Sequence, residues 1–236
     1  MKYQRVLLKL SGEALKDQDN IYDGQKLNQT ADQLISMVKD GLQLGIVVGG
    51  GNIWRGKLSD ELGIEQISGD YMGMMATVMN ALALQAVINQ KGYAKVVVYS
   101  ALKIENLTKD YNFYEARDLL AQGYIVIFAS GTGYAYFTTD TTAIIRGIEV
   151  KADAILMAKN GVSGVYDSDP KQNPEAKLFT KLSYDDIIAK NLHVMDQSAA
   201  LMAKQAKMKI VVFDMQQPDS LTKIIQGSLT STIIEE

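Results

Sequence analysis

The sequence predicts an α/β fold with a mainly parallel central sheet, and two patterns carry this prediction. Six apolar runs are continuous in Val, Ile, Leu and Met rather than alternating with polar residues, as in strands that are covered on both faces. Segments with a helical spacing of apolar residues separate these runs. Because strands that alternate with helices form right-handed βαβ units, we expect the strands to lie parallel.

Each element is supported by its own residues. The predicted strands span residues 5–10, 45–48, 95–99, 124–129, 154–158 and 209–213. The predicted helices span residues 27–44, 70–91, 113–122, 139–151 and 199–207. Asn112 followed by Glu115 predicts a capping box at the third helix, and Pro218 predicts the first turn of a further helix. Residues 164–183 hold two of the three prolines and several Asp and Asn residues, which predicts a loop or a hairpin.

Length and composition indicate one globular domain over residues 1–236, since no low-complexity linker divides the chain. Hydrophobic residues make up 47% and charged residues 22%, which argues against disorder. The formal net charge of -3 argues against nucleic-acid binding driven by bulk charge. An anionic ligand must therefore meet local positive charge.

The chain has no cysteine, which excludes disulfides, thiolate metal sites and cysteine nucleophiles and favours a cytoplasmic protein. No stretch of the sequence approaches about 20 apolar residues, so we expect no membrane-spanning segment. A zinc site is not expected because His193 is the single histidine. That residue is interpreted as a packed or surface side chain rather than a ligand or a base.

Two of the predicted strands run into glycine-rich breaks with a cation close by. The first break follows Lys9 as Leu10-Ser11-Gly12, and the second reads Gly49-Gly50-Gly51-Asn52 and is followed by Arg55. Glycines let backbone N–H groups approach an anion, and the two cations can neutralise charge that those groups balance only in part. This pattern is suited to a polyphosphate.

A third segment, residues 131–140, follows the strand at 124–129 and reads GTGYAYFTTD. A turn and a helix cap at Thr138 or Thr139 would explain part of it. Ten residues of glycine, hydroxyl and aromatic types at the carboxyl end of a strand exceed what a cap requires, so we favour ligand contact. Asp140 could stabilise the helix start through its charge, hold a lysine ammonium, or hold a water of Mg²⁺.

Two further segments have a structural and a functional interpretation. Asp70 lies near a predicted helix start between glycines and could accept hydrogen bonds from ribose hydroxyls, whereas the methionines around it are typical of core packing. Asn160 and Tyr166 follow a strand and could contact an adenine, Asn160 by reading its edge and Tyr166 by stacking. A solvated turn explains that segment equally well.

The better-known nucleotide motifs are absent. Neither Gly49-Gly50-Gly51 nor Gly131-Thr132-Gly133 is followed by a glycine three residues later, which argues against a dinucleotide-binding fingerprint. Residues 51–58 match a Walker A loop up to the last position, where Leu58 cannot supply the hydroxyl that binds Mg²⁺. A nicotinamide enzyme and a P-loop enzyme are therefore both disfavoured.

Taken in order, these five segments resemble the amino-acid kinase superfamily, and within it the bacterial UMP kinases. Lys9-Leu10-Ser11-Gly12 and residues 49–55 are similar to its two phosphate loops, which carbamate, acetylglutamate and aspartate kinases share. Residues 69–74 with 76–80, and residues 137–140, are similar to segments of the UMP kinases alone. The resemblance implies a three-layer αβα sandwich, a homohexamer, inhibition by UTP, and phosphorylation of UMP by Mg-ATP in pyrimidine nucleotide synthesis.

The resemblance also implies a set of ligand contacts by position. The ATP contacts would be Lys9, Leu10, Ser11, Gly12, Gly51, Arg55, Asn160, Tyr166 and Asp169. The UMP contacts would be Gly50, Asp70, Gly131, Thr132, Gly133, Tyr134, Ala135, Tyr136, Phe137 and Thr138. The family often has Asn-Pro-Phe where this chain has Tyr134-Ala135-Tyr136, and Ala135 restores an N–H that proline lacks.

The charge requirements of phosphoryl transfer suggest roles for a few of these residues. The acceptor phosphate of UMP is mostly dianionic at neutral pH, so the transfer needs positive charge rather than a general base. Lys9 and the Mg²⁺ carried by ATP fit that need, Arg55 can clamp phosphate oxygens, and Asp140 would orient Lys9 or the waters of the metal. Asp196 is a weaker candidate for similar support, and no residue is expected to bind the metal directly.

One alternative function uses the same pocket. A nucleotide-sensing regulator that binds UTP or UMP without turnover would need affinity for its ligand but would not need to stabilise charge in a transition state. The presence of Lys9, Arg55 and Asp140 together favours a catalytic function over a nucleotide-sensing one.

Overall fold

A nine-stranded sheet forms the centre of the computed structural model, which describes residues 3–190, 192 and 194–236. His193 lies outside these described residues. The strands are β1 Arg5–Leu10, β2 Gln43–Val48, β3 Val96–Ser100, β4 Lys109–Asp110, β5 Ile125–Ala129, β6 Ala154–Lys159, β7 Val165–Tyr166, β8 Leu178–Phe179, β9 Lys181–Leu182, β10 Ile210–Asp214 and β11 Ser231–Ile234. The helices are α1 Gly24–Lys39, α2 Gly56–Leu62, α3 Gln66–Gln90, α4 Phe113–Ala121, α5 Thr139–Glu149, α6 Tyr184–Ala189, α7 Gln197–Gln205 and α8 Ser220–Gln226.

The strand order is β4-β3-β5-β2-β1-β6-β10-β11-β9, while β7 and β8 form a separate antiparallel hairpin. The sheet is parallel except that β11 runs antiparallel to β10, and β9 follows the direction of β11. In the middle, β1 pairs with β2 on one side and with β6 on the other. The loops that follow β1, β2, β5 and β6 therefore leave from the same edge of the sheet.

Two apolar cores lie on opposite faces of this sheet. In β1, Val6 and Leu8 belong to the core shared with α1, α3 and α8, whereas Leu7 belongs to the core shared with α4, α5, α6 and α7. All three side chains are fully buried. Because both faces are covered, the strands read as continuous apolar runs. The predicted three-layer αβα sandwich is confirmed.

Several element ends differ from the prediction for local reasons. The first helix ends at Lys39 rather than at residue 44, because Gly41 adopts a positive φ of 95° and leads directly into β2. Helix α3 begins at Gln66, four residues before the predicted start, which places Asp70 inside the helix. The predicted helix near Pro218 begins at Ser220, and the hairpin within residues 164–183 is present as β7 and β8.

The predicted capping box at α4 is half present. The Asn112 side chain accepts hydrogen bonds from the backbone N–H groups of Tyr114 and Glu115, so the cap itself is confirmed. The Glu115 carboxylate is instead 2.5 Å from Lys109 Nζ. Three short helices, α2, α6 and α8, were not in the predicted set, although Pro218 pointed to the last of them.

Helix α3 is more apolar than the sequence analysis expected. Among the described residues it is the one helix long and apolar enough to cross a membrane by length and composition. Of its most apolar 18-residue stretch, 44% is buried inside the protein. It also carries Asp70 and the fully buried Asn80, both hydrogen-bonded to loops of the sheet edge. These contacts are those of a helix that packs on a sheet.

Candidate active site

The two glycine-rich loops meet at the carboxyl edge of the sheet. A Cβ atom built on Gly12 would lie 2.5 Å from the carbonyl oxygen of Gly49 and closer still to the Asn52 side chain. Asn80 Nδ2, fully buried on α3, donates to that same Gly49 oxygen at 2.7 Å and to Asn52 Oδ1 at 2.7 Å. The buried Asn80 amide therefore ties the β2 loop to α3, a role that was not predicted. The N–H of Gly49 donates to the carbonyl of Leu10 at 2.9 Å, which joins the β2 loop to the end of β1.

Lys9 and Asp140 form an ion pair beneath these loops. Lys9 Nζ lies 2.8 Å from Asp140 Oδ1, and the two side chains are 11% and 17% exposed. Lys9 comes from the penultimate position of β1, and Asp140 from the first turn of α5, whose start is capped by Thr138. Of the three roles considered for Asp140, the structure contains two: Asp140 lies in the first turn of α5, and it holds a lysine ammonium.

Arg55 lies at the rim of the site, where its guanidinium contacts the Glu13 carboxylate. Its Nε also donates to the carbonyl of Gly51 at 3.0 Å, and Lys16 Nζ lies 3.0 Å from Glu13. Burial acts to raise the pKa of Glu13, but the hydrogen bonds from Arg55 and Lys16 outweigh it and the pKa is lowered. Glu13 was not among the predicted site residues, although its position directly after Gly12 was a usable signal.

A cavity of about 320 Å³ opens between the β2 loop, helix α3 and the loop after β5. Its lining includes Gly50, Asp70, Gly131, Phe137 and Thr138, all of which the sequence analysis placed at the acceptor. We refer to it as the acceptor-side cavity. In the structure Asp70 Oδ2 accepts a hydrogen bond from the backbone N–H of Tyr136 at 2.7 Å. Tyr136 adopts a positive φ of 68°, which an aromatic residue rarely does.

Residues 131–138 form the acceptor loop, and its base is tied to several elements. The N–H of Ser130, the residue before it, donates to Thr77 Oγ1 of α3 at 2.8 Å, and the Gly131 carbonyl accepts from buried Arg146 of α5 at 3.2 Å. Not every residue of the loop faces the acceptor-side cavity. A second cavity, of about 620 Å³, is lined on the other side of the loop by Thr132, Gly133 and Tyr134. Ala135 and Tyr136 line neither of these two cavities.

Asp196 connects the acceptor loop to helix α7. Its Oδ1 caps α7 by accepting from the Ala199 N–H at 2.7 Å, as a plain helix cap would. Its Oδ2 accepts from the hydroxyl of Thr138 and, at 3.1 Å, from that of Thr141. Asp196 thus contacts the segment that starts α5, two residues from Asp140.

A cavity of about 410 Å³ lies on the other side of β1, beyond β6, and we refer to it as the donor-side cavity. Its walls combine Val162, Val165 and Val212 with Tyr166, Asp169 and Lys159. Tyr166 and Asp169 were both predicted ATP contacts. Asn160, the third predicted residue of this region, faces a neighbouring cleft of about 280 Å³ that it shares with Glu13 and Gln216.

Within the described part of the chain, no three acidic or histidine side chains come together to form a metal site. Of the carboxylates in this region, Asp140 faces Lys9 and Glu13 faces Arg55. A magnesium ion that arrives with its own nucleotide phosphates needs only water-mediated contact with such groups.

Comparison with known proteins identifies close relatives. Residues 4–214 match the model of the amino acid kinase family. A uridylate kinase of Mesoplasma florum is 58% identical over 235 residues, covering 100% of this chain and 99% of the relative. Two solved structures superpose along the whole chain: UMP kinase from Bacillus anthracis, with a TM-score of 0.96, 40% identity and 97% of that chain covered, and UMP kinase from Ureaplasma parvum, with a TM-score of 0.95, 37% identity and 100% covered.

Proposed function

The chain belongs to the amino acid kinase family, and we propose from this premise that it transfers a phosphoryl group from Mg-ATP to UMP. The Lys9–Asp140 ion pair carries the proposal, because Lys9 comes from β1, the strand that pairs with β2 on one side and with β6 on the other. The acceptor-side cavity includes the loop after β2, and the donor-side cavity includes the end of β6. A cation placed there is suited to charge that moves from one nucleotide to another.

We propose a direct in-line transfer. An oxygen of the UMP phosphate attacks the γ-phosphorus of ATP, the bond from that phosphorus to its bridging oxygen breaks, and UDP and ADP result. No proton has to be removed from the acceptor, since its second pKa is about 6. Mg²⁺ carried by ATP would neutralise developing charge on the phosphates. Lys9 supplies a fixed ammonium, and Asp140 holds that ammonium in position.

The ligand contacts are proposed from the family resemblance, and the two cavities and the glycine loops support part of them. ATP is assigned to Lys9, Leu10, Ser11, Gly12, Gly51, Arg55, Asn160, Tyr166 and Asp169. UMP is assigned to Gly50, Asp70 and residues 131–138. Arg55 has to leave the Glu13 carboxylate, or share its remaining N–H groups, before it can clamp a phosphate. The Tyr136 N–H occupies Oδ2 of Asp70, and the other carboxylate oxygen can accept a hydrogen bond from a ribose hydroxyl.

Substituting Asp70→Asn is expected to weaken UMP binding while leaving ATP binding unchanged. A hydrogen bond to a charged acceptor is worth roughly 1.5–3 kcal/mol, and the amide would retain only part of it. Titration calorimetry with each nucleotide measures the effect. Asp60→Asn, the same change on the exposed side of α2, is the matched control. An unchanged UMP affinity together with a weaker ATP affinity would show that Asp70 contacts the other nucleotide.

A coupled assay of ADP release tests the function directly. We expect UMP and Mg-ATP to give turnover far above that with CMP, dUMP, aspartate, acetylglutamate or carbamate. A protein that binds UMP or UTP without any ADP release would instead be the nucleotide-sensing regulator. Equal or faster turnover with one of the amino-acid or carbamate acceptors would show that this acceptor, and not UMP, is the substrate.

We propose further that the chain is a cytoplasmic homohexamer inhibited by UTP. Helix α3 and its neighbour α2 support assembly, because they expose Tyr71, Met72, Met75, Met79 and Leu62 at 40–60% of their surface. UTP shares the nucleoside of the acceptor and would compete for the acceptor-side cavity. A monomer in sedimentation experiments, or turnover insensitive to UTP, would contradict these two assignments.

A further inference from the structure

Lys159, at the carboxyl end of β6, is a cation to which the proposed mechanism gives no role. Its Nζ donates to the carbonyl of Val194 at 2.7 Å. A lysine ammonium has three N–H donors, and within the described residues no other hydrogen bond or ion pair of this group is present. Two donors are therefore available to a ligand.

The position of Lys159 is informative about that ligand. The side chain forms part of the wall of the donor-side cavity, together with Tyr166 and Asp169. On its other side lies β1, in which Lys9 is paired in register with Met157 of β6. A nucleotide whose base occupies the apolar part of the cavity and whose terminal phosphate reaches Lys9 has to pass Lys159.

The electrostatics of Lys159 agree with this position. Burial lowers the pKa of its ammonium, the nearby Lys9 lowers it further, and Asp140 acts in the opposite direction. The two ammonium groups and the one carboxylate thus form a cluster with an excess of one positive charge. A polyanion would remove the repulsion between the two lysines, so it is the ligand that this cluster favours.

We infer that Lys159 is a further phosphate-binding residue, which contacts the β- and γ-phosphates of the donor nucleotide while its third donor holds Val194. The inference rests on the proposed function, because it takes ATP as the ligand of the donor-side cavity. It adds a second fixed cation to the path between the nucleoside and Lys9.

The inference is tested by measuring how tightly the variant Lys159→Gln binds Mg-ATP and AMP, which differ in their number of phosphates. The amide can still donate to the Val194 carbonyl, so the loop is kept in place while the charge is lost. Calorimetry should show Mg-ATP binding about 10–100-fold weaker, as expected for a lost charged contact, and AMP binding unchanged. Lys181→Gln is the matched control, since Lys181 lies outside the lining of the donor-side cavity and is paired with Glu235 at 2.8 Å. Unchanged Mg-ATP binding, or equal losses for Mg-ATP and AMP, would overturn the inference.

A second measurement uses the wild-type protein and does not depend on a variant that folds. Lysine acetylation followed by mass spectrometry should show that Mg-ATP protects Lys159 and that AMP does not. Equal protection by both nucleotides would overturn the inference. These binding readouts are independent of turnover, so a protein that binds Mg-ATP but fails to phosphorylate UMP would refute the proposed function alone.

Discussion

Lys9→Ala is expected to lower kcat for UMP phosphorylation by about 10²–10³-fold while weakening nucleotide binding much less. The reason is that the charge which Lys9 stabilises grows in the transition state, whereas bound ATP also has Mg²⁺ and backbone N–H groups as partners. Lys9→Arg should not restore the rate, because a forked guanidinium cannot occupy the place of a compact ammonium against Asp140. Steady-state kinetics with both substrates varied give kcat and KM separately.

The same substitution should also destabilise the protein, since it leaves the largely buried Asp140 carboxylate without its partner at a cost of roughly 1–3 kcal/mol. The double variant Lys9→Ala/Asp140→Asn removes the unpaired charge and should regain most of the lost thermal stability without regaining the rate. Lys39→Ala, on the exposed last turn of α1, is the control for removing a lysine. A folded Lys9→Ala variant that turns over at the wild-type rate would refute the proposed mechanism.

Gly12→Ala is expected to reduce kcat/KM by at least about 10²-fold, because reacting groups displaced by about 1 Å lose that much rate. The new methyl group would lie 2.5 Å from the Gly49 carbonyl, a backbone atom that already accepts from Asn80. One of the two glycine loops therefore has to move. The accompanying loss of stability should be about 1–3 kcal/mol, as for other overpacked sites.

Gly24→Ala provides the comparison for this substitution. No atom lies within 4 Å of a Cβ built on Gly24, which is the first residue of α1. This variant should keep full activity and gain up to about 1 kcal/mol of stability from the better helix former. If Gly12→Ala retained wild-type kinetics, the close approach of the β1 and β2 loops would not be needed for catalysis.

The sheet and the ion pair were predictable from the sequence for a definite reason. Apolar runs such as 5–10 and 154–158 are buried on both faces, and their composition alone indicates this. Since parallel strands end at one edge, Lys9 and Asp140 could be expected near each other before any contact was known. An ion pair with a lysine was one of the roles considered for Asp140, and the structure contains that pair with Lys9.

Features that depend on packing between distant segments were not predictable. Asn80 lies in an apolar helix, and only the fold shows that its amide ties that helix to the loop after β2. Glu13 and Lys159 each adjoin a predicted site residue. Their neighbouring sequence does not indicate that Glu13 contacts Arg55 or that Lys159 contacts Val194. The contact between Asp70 and Tyr136 joins residues 66 positions apart, with a backbone angle that no propensity would assign to tyrosine.

The central place of β1 has a consequence for how the protein folds. Its pairing with β6 closes a loop in which the N–H of Arg5 bonds to the Asp153 side chain, 148 residues later. Strands β3 and β5 are much closer in sequence, so their pairing costs less chain entropy and should form sooner. The pairing of β1 with β2 also joins residues that are close in sequence, so a chain that lacks only the β1–β6 pairing has the two glycine loops but not the strand that carries Lys159. Catalytic competence is therefore expected to arise in the last step of folding, when the two halves of the sheet join along β1.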